Sequence, residues 1–384
     1  MIRFTYLIHG EAPVSGRAAP QSALALAESR PGPVVFWNMT NGCNLACTHC
    51  YLRSGPGRKR EDELTTDEAT ALIDDLARAG VPLLLLSGGE PLVREDFWTL
   101  AAHARERGLR TALSTNGTLI TPEVARRLRD VGIGYAGISL DGATAATHDP
   151  FRGVPGSFDR SVQALENCIA AGLRCGVRFT VTKRNHGELG RLIALAREVG
   201  VHRFCVYWLV PSGRASDVHA DLQVGPAEVQ AVLDRIYRET IRTDPAVMEF
   251  LTVDAPQDGA YLLARLEADG NPAYDRAYRI LARTGGCSAG RRVANIDPSG
   301  NVYPCQFAQS PEFLAGNVRD RAFAEIWSDP ENPALRAFRT AGACPPGPSS
   351  ACGRQEICGA GCRVRAYVRS GDPDGGDPLC PKYG

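Results

Sequence analysis

Two hydrophobic periods alternate along the first 210 residues. Short apolar runs of strand composition occupy Val34–Thr40, Val81–Gly89, Leu109–Thr115, Ile133–Asp141, Cys175–Thr182 and His202–Val210. Between them, apolar residues recur at helical spacing over Thr65–Ala79, Phe97–Arg107, Pro122–Val131, Ser157–Ala171 and Leu189–Val199. Thr66 is expected to cap the first of these helices, with acidic residues in its first turn. Six β/α units in series predict a parallel sheet with helices outside. Six units curl into a partial (β/α)6 barrel, short of the eight that close one, with chemistry expected at the C-terminal ends of the strands.

Residues 1–32 are rich in Pro, Gly and Ala and read as a short strand or arm and a linker. After Val224 the pattern changes: Pro226–Thr243 is helical, and a polar, ambiguous stretch leads to Gly285. From there the chain is rich in Gly, Pro and Cys, with weak strand signals at Arg291–Asp297 and Asn301–Pro304. About a hundred residues with so little regular structure bury little on their own, and bound metal can supply the missing stability.

Charge adds little. The 43 basic and 43 acidic residues cancel, so nothing calls for nucleic acid or an anionic membrane as partner. No stretch approaches the roughly 20 apolar residues of a membrane span. The first residues lack the long apolar core of a signal peptide, which predicts a cytoplasmic protein. Thirteen cysteines then need a reason other than disulfides. Three fall in Cys43-Asn-Leu-Ala-Cys47-Thr-His-Cys50-Tyr51, and seven lie between Cys287 and Cys380. Cys168, Cys175 and Cys205 are expected as buried apolar residues.

Three thiolates in a CxxxCxxC spacing can wrap a loop around one four-iron cluster and leave one iron open, as a catalytic centre requires. With His49 as a fourth ligand, the same loop would instead be a zinc site. Further along come Ser87-Gly88-Gly89-Glu90-Pro91, Ser114-Thr115-Asn116-Gly117 and Ser139-Leu140-Asp141-Gly142, each at the end of a predicted strand. As turns they are unremarkable; in this order after CxxxCxxC they are specific.

This constellation resembles the radical S-adenosylmethionine superfamily. The resemblance implies that Cys43, Cys47 and Cys50 carry a [4Fe-4S] cluster as the catalytic metal site, whose open iron chelates S-adenosyl-L-methionine. It implies cofactor contacts from Tyr51 near adenine, from Gly88, Gly89 and Glu90 at the methionyl ammonium, and from Ser114, Asn116, Ser139 and Asp141. Arg178 is expected at the methionyl carboxylate. The C-terminal pattern Cys287-x17-Cys305, then Cys344-x7-Cys352-x5-Cys358-x3-Cys362 and Cys380, resembles the SPASM extension with two auxiliary [4Fe-4S] clusters. Carried over, Cys344, Cys352, Cys358 and Cys380 bind one and Cys287, Cys305 and Cys362 the other, whose fourth ligand stays open. The family's usual C-x2-C is split here, with Ser349 in the expected place. A zinc ribbon is the plainer alternative.

The implied organisation is an N-terminal arm (1–32), a radical barrel (33–224), a helical linker region (225–284) and a SPASM-type domain (285–384). Finer segments, Trp37–Tyr51, His148–Gly153, Val210–Ala215, Val253–Leu262 and Ile357–Tyr367, resemble the enzymes of haem d1 and alternative haem biosynthesis. These act on side chains of sirohaem-derived tetrapyrroles. Such a polycarboxylate favours arginines, and Arg152, Arg178, Arg214, Arg363 and Arg365 are candidates. His148 and Tyr207 are candidate proton donors or macrocycle contacts. The alternative substrate is a ribosomally made peptide, although the stretch ahead of the first barrel strand is short for a peptide-recognition domain. A reduced donor such as ferredoxin or flavodoxin is implied as partner.

Overall fold

The computed structural model describes residues 1–10, 32–340 and 353–380. Its centre is a ten-stranded sheet in the order β10-β9-β8-β1-β2-β3-β4-β5-β6-β7. Six strands lie where the apolar runs predict: β1 Val34–Asn38, β2 Leu84–Ser87, β3 Thr111–Thr115, β4 Ile133–Ser139, β5 Cys175–Val181 and β6 Arg203–Trp208. Each pairs in parallel with the next, in a partial barrel. The inner face and the helix-facing side are both apolar, and Trp37, Leu84, Leu86, Phe179, Phe204 and Phe250 are fully buried. That two-sided burial is why β2 reads as an unbroken Leu run rather than an alternation.

Four features differ from the sequence expectation. A seventh parallel strand, β7 Glu249–Val253, follows β6 and lies inside the ambiguous stretch. Two helices, Gln257–Ala268 and Tyr274–Thr284, fill the remainder of that stretch. In the N-terminal segment, Phe4–His9 is a helix; Ile2 bridges Thr252 on the β7 edge, and the Thr5 hydroxyl accepts from the Phe250 amide at 2.9 Å. The first long helix, Thr66–Arg78, is capped by Thr65 rather than Thr66. Glu68 decides between the two threonines: it sits three residues after Thr65 and closes a capping box, accepting from the Thr65 amide at 2.8 Å.

The C-terminal part extends the sheet. β8 Val293–Ile296 pairs in parallel with β1, and β9 Asn301–Tyr303 and β10 Gly316–Asn317 add antiparallel strands beyond it. The helix Arg363–Ser370 carries one member of an ion pair buried within the C-terminal part, and the same arginine reaches the barrel. Arg365 and Asp377 are both fully inaccessible and meet through two bonds of 2.8 and 2.7 Å. The Arg365 guanidinium also donates to the Asp254 carbonyl at 2.5 Å, while Asp377 accepts from the Cys362 amide at 2.8 Å. Removing one member of such a pair strands the other charge, so Asp377→Ala is expected to destabilise the protein by about 3–5 kcal/mol. Denaturant unfolding read by tryptophan fluorescence measures this, and a loss below about 1 kcal/mol would mean that the pair does not hold the C-terminal part together.

Candidate active site

The C-terminal ends of the barrel strands converge on one cavity, open at its mouth. Cys43, Cys47 and Cys50 line it together with Tyr51, Gly88, Gly89, Ser114, Asn116, Ser139 and Arg178. The cysteine loop follows β1 and is held from outside. The Ala46 and Thr48 amides donate to the Arg152 and Phe151 carbonyls at 3.1 and 3.0 Å. Arg214 clamps it from the β6 side, donating to the Cys47 and Ser54 carbonyls at 2.9 and 2.7 Å. The glycines after β2 let this loop sit directly on the strand end. A Cβ on Gly89 would fall on the Gly42 carbonyl oxygen, and one on Gly88, at φ +139°, would lie 2.7 Å from the Thr40 carbonyl oxygen.

The thiols face donors. The Leu45 amide reaches Cys43 Sγ at 3.4 Å, the Ser54 amide reaches Cys50 Sγ at 3.3 Å, and Arg152 Nη1 lies 3.6 Å from Cys47 Sγ. N–H groups on sulfur stabilise thiolate and tune a bound cluster. Burial, with Glu90 nearby, pushes the Cys43 thiol up to about 12; burial also raises Cys47, partly offset by Arg152. Cys43 and Cys47 are thus costly as free thiolates, and iron that displaces their protons offsets the cost. His49 does not complete a zinc set. Its ring stacks on Phe151 at 4.0 Å between centroids, and its Nε2 faces Asp141 at 3.5 Å.

Glu90 and Asp141 sit behind the wall rather than in it. Glu90 is fully buried; both its oxygens accept from the Thr115 hydroxyl (2.8 and 2.9 Å), and the Asn116 and Leu92 amides complete the set. Burial raises its carboxyl to about 7 despite these donors. Here Glu90 ties the β2 and β3 ends together, and the ammonium contact implied by the resemblance requires it to turn. Asp141 is the counter-ion of Arg152 and accepts from the Thr180 amide at 2.7 Å. Ser139 carries the cavity face of that motif.

Arg178 lies over the Tyr207 ring at 4.6 Å and bonds the Ser114 hydroxyl. The Tyr51 hydroxyl donates to Asn38 at 2.9 Å, and its ring meets Phe307 edge-on at 5.5 Å. Of the five arginines expected to meet carboxylates, Arg152, Arg178 and Arg214 border the cavity and Arg363 and Arg365 do not. Arg363 bonds the Pro373 and Gly359 carbonyls, and Arg152 and Arg214 serve the cysteine loop. That leaves Arg178 as the arginine that does not hold this loop. His148 is packed: its Nδ1 accepts from the Asp141 amide, and burial and Arg152 push it down to about 3.

In the C-terminal part, Cys287, Cys305 and Cys362 share one apolar cluster, and the Cys305 thiol is raised first by burial and then by the other two. Cys358 is buried and Cys380 half-buried, with the Cys380 amide on the Asp377 carbonyl at 2.9 Å. Cys344 and Cys352 lie outside the described residues. Among the other residues that line the cavity are Asp254 just after β7, and Gln306 and Phe307 after Cys305, to which the sequence reading gave no role. Asp254 was quoted only as part of the segment Val253–Leu262, because its strand went unseen.

A parallel partial barrel with a three-cysteine loop at its mouth defines an enzyme of radical chemistry. The chain belongs to the radical SAM superfamily, whose profile matches residues 37–205, and the SPASM iron–sulfur cluster-binding domain matches residues 287–359. It is 39% identical over 354 residues to Fe-coproporphyrin III synthase of Methanosarcina barkeri, covering 91% of this chain and 87% of that one. Pre-heme d1 synthase of Dinoroseobacter shibae is 36% identical, covering 92% and 87%. Mycofactocin maturase MftC of Mycobacterium tuberculosis is 39% identical, covering 90% and 81%. The fold is that of Streptococcus suis SuiB bound to S-adenosylmethionine (TM-score 0.71, 19% identity, 93% of this chain and 80% of that one). The radical domain binds S-adenosylmethionine and a [4Fe-4S] cluster, and the SPASM domain binds auxiliary iron–sulfur clusters. Among the described residues no helix is long and apolar enough to cross a membrane.

Proposed function

We propose that the protein removes or modifies carboxylate side chains of a sirohaem-derived tetrapyrrole. The observation that carries this reading is the likeness to tetrapyrrole synthases across nine-tenths of the chain. Cys43, Cys47 and Cys50 hold the cleaving cluster, and the bound S-adenosylmethionine supplies a 5′-deoxyadenosyl radical. The residues of this chain do the rest. Tyr51, Ser114, Asn116 and Ser139 line the space for the cofactor, the Gly88-Gly89 turn lets it approach the backbone, and Arg178 offers a half-buried cation to a carboxylate. The aromatic wall of Tyr51, Tyr207 and Phe307 keeps water from a reactive carbon. Each carboxyl lost as carbon dioxide from a carbon radical leaves one electron to be taken up, and Cys287, Cys305 and Cys362 would hold its acceptor.

The reaction is cytosolic, with a reduced ferredoxin or flavodoxin as donor. Anaerobically reconstituted protein is expected to hold roughly twelve irons per chain, as three cubanes require; a value near four would remove the auxiliary clusters from the account. Reduced protein given S-adenosylmethionine and iron coproporphyrin III or didecarboxysirohaem is expected to return a macrocycle lighter by side-chain mass, read by mass spectrometry. The likeness to the mycofactocin maturase supports a second reading, a peptide substrate. 5′-Deoxyadenosine formed beside an unchanged macrocycle would favour it.

A further inference from the structure

Asp254 stands at the C-terminal end of β7 and lines the cavity, though no role of the cysteine loop involves it. Its backbone is at φ +70°, a sparsely populated region that few non-glycine residues adopt. That conformation is held from behind, where Arg365 Nη2 donates to the Asp254 carbonyl at 2.5 Å. Its Oδ2 is buried and has no hydrogen-bond partner. An unsatisfied carboxyl oxygen in a strained residue, facing a ligand cavity, is a costly arrangement unless something bound there completes it.

A carboxylate is an odd group to find in a site for polycarboxylates, unless it carries a proton. We propose that Asp254, as the neutral acid, and Arg178 form a notch that binds one carboxylate, with Asp254 donating a hydrogen bond and Arg178 supplying the charge. The source of that carboxylate is a side chain of the substrate or the methionyl group of S-adenosylmethionine. Burial raises the Asp254 carboxyl to about 6, against the lowering pull of the Met1 amino group, Arg365 and Arg178. Tyr51 and Tyr207 also face it, and both phenols are themselves pushed up by burial. An anionic ligand beside Asp254 raises its carboxyl further, so binding takes up a proton near neutral pH. A neutral acid donating to a bound anion gives a charge-assisted hydrogen bond that an ionised Asp254 would turn into repulsion.

The test uses the reconstituted holoenzyme under anaerobic conditions between pH 6 and 8.5. Binding of iron coproporphyrin III is followed by absorbance and binding of S-adenosylmethionine by equilibrium dialysis. Wild-type affinity for the ligand that fills the notch is expected to fall roughly tenfold per pH unit above about pH 6, where Asp254 is ionised in the free protein but protonated in the complex, and to level off once the complex ionises too. Asp254→Asn keeps a donor at every pH and tolerates the left-handed backbone, so its affinity for that ligand should hardly change with pH. Asp254→Gly keeps the backbone, removes the donor, and should bind weakly and without the pH dependence. Which ligand shows the pattern identifies the source of the carboxylate. The choice of a porphyrin probe rests on the tetrapyrrole reading; the S-adenosylmethionine arm does not. Failure of iron coproporphyrin to bind at any pH counts against that reading alone. If neither ligand shows a pH dependence that Asp254→Asn removes, the notch is overturned.

Discussion

Cys47→Ala is expected to reduce cleavage of S-adenosylmethionine to background and to lower iron by about four per chain, the content of one cubane. The loop leaves no substitute. Of the neighbouring side chains, His49 is stacked on Phe151 and turned to Asp141, and Arg152 is a cation. The scaffold itself should survive, because the loop is fixed by main-chain bonds to Arg152, Phe151 and Arg214 rather than by the thiol. Far-ultraviolet circular dichroism should therefore match wild type while 5′-deoxyadenosine disappears. Retained cleavage with full iron would take Cys47 out of the ligand set.

Gly89→Ala is expected to cost nearly as much without touching a ligand. The new methyl would fall on the Gly42 carbonyl oxygen and lie 3.0 Å from Cys43 Cβ, both in the cysteine loop. Backbone there cannot swing aside as a side-chain tip can, so the loop must shift. A displacement of about 1 Å at a reacting centre costs on the order of 10²-fold in rate, which is the expected loss of 5′-deoxyadenosine formation per iron. Overpacking adds about 1–3 kcal/mol of instability. Gly57→Ala is the control: its φ of +68° carries a backbone penalty that Gly89 does not, but nothing lies within 4 Å of its Cβ. That variant should pay only the backbone penalty, about 1 kcal/mol, and keep its rate. Equal rates in the two variants would show that the glycine pair does not set the loop's position.

The parts of the site legible in the sequence are those carried by neighbours in the chain. CxxxCxxC, Ser87–Pro91 and Ser114–Gly117 each place several polar groups within a few residues at a strand end, and a strand end fixes their common direction. Roles that depend on distant backbone were not legible. Arg214 reads as a free cation until the Cys47 and Ser54 carbonyls appear beside it, 167 and 160 residues away. Arg365 finds its partner twelve residues on, in a loop whose course the sequence does not dictate. Glu90 reads as a ligand group but is occupied by Thr115, whose place beside it follows from the β2–β3 pairing. β7 escaped notice because Glu-Phe-Leu-Thr-Val is short and opens on a charge. Glu249 is buried all the same, because Arg3 and Arg203 both bond it. With that strand went the role of Asp254, a cavity acid with an unpartnered oxygen.

The account's central claim is hydrogen abstraction from a tetrapyrrole side chain. Its most direct test is isotopic. Didecarboxysirohaem and iron coproporphyrin III, each deuterated on the carbons of its side-chain arms, are given in turn to the reduced holoenzyme with S-adenosylmethionine, and the mass of 5′-deoxyadenosine is read. The account predicts 5′-deoxyadenosine heavier by one mass unit with one of the two, formed in step with loss of side-chain mass from that macrocycle. Unlabelled 5′-deoxyadenosine beside an intact, fully deuterated macrocycle in both cases would contradict it.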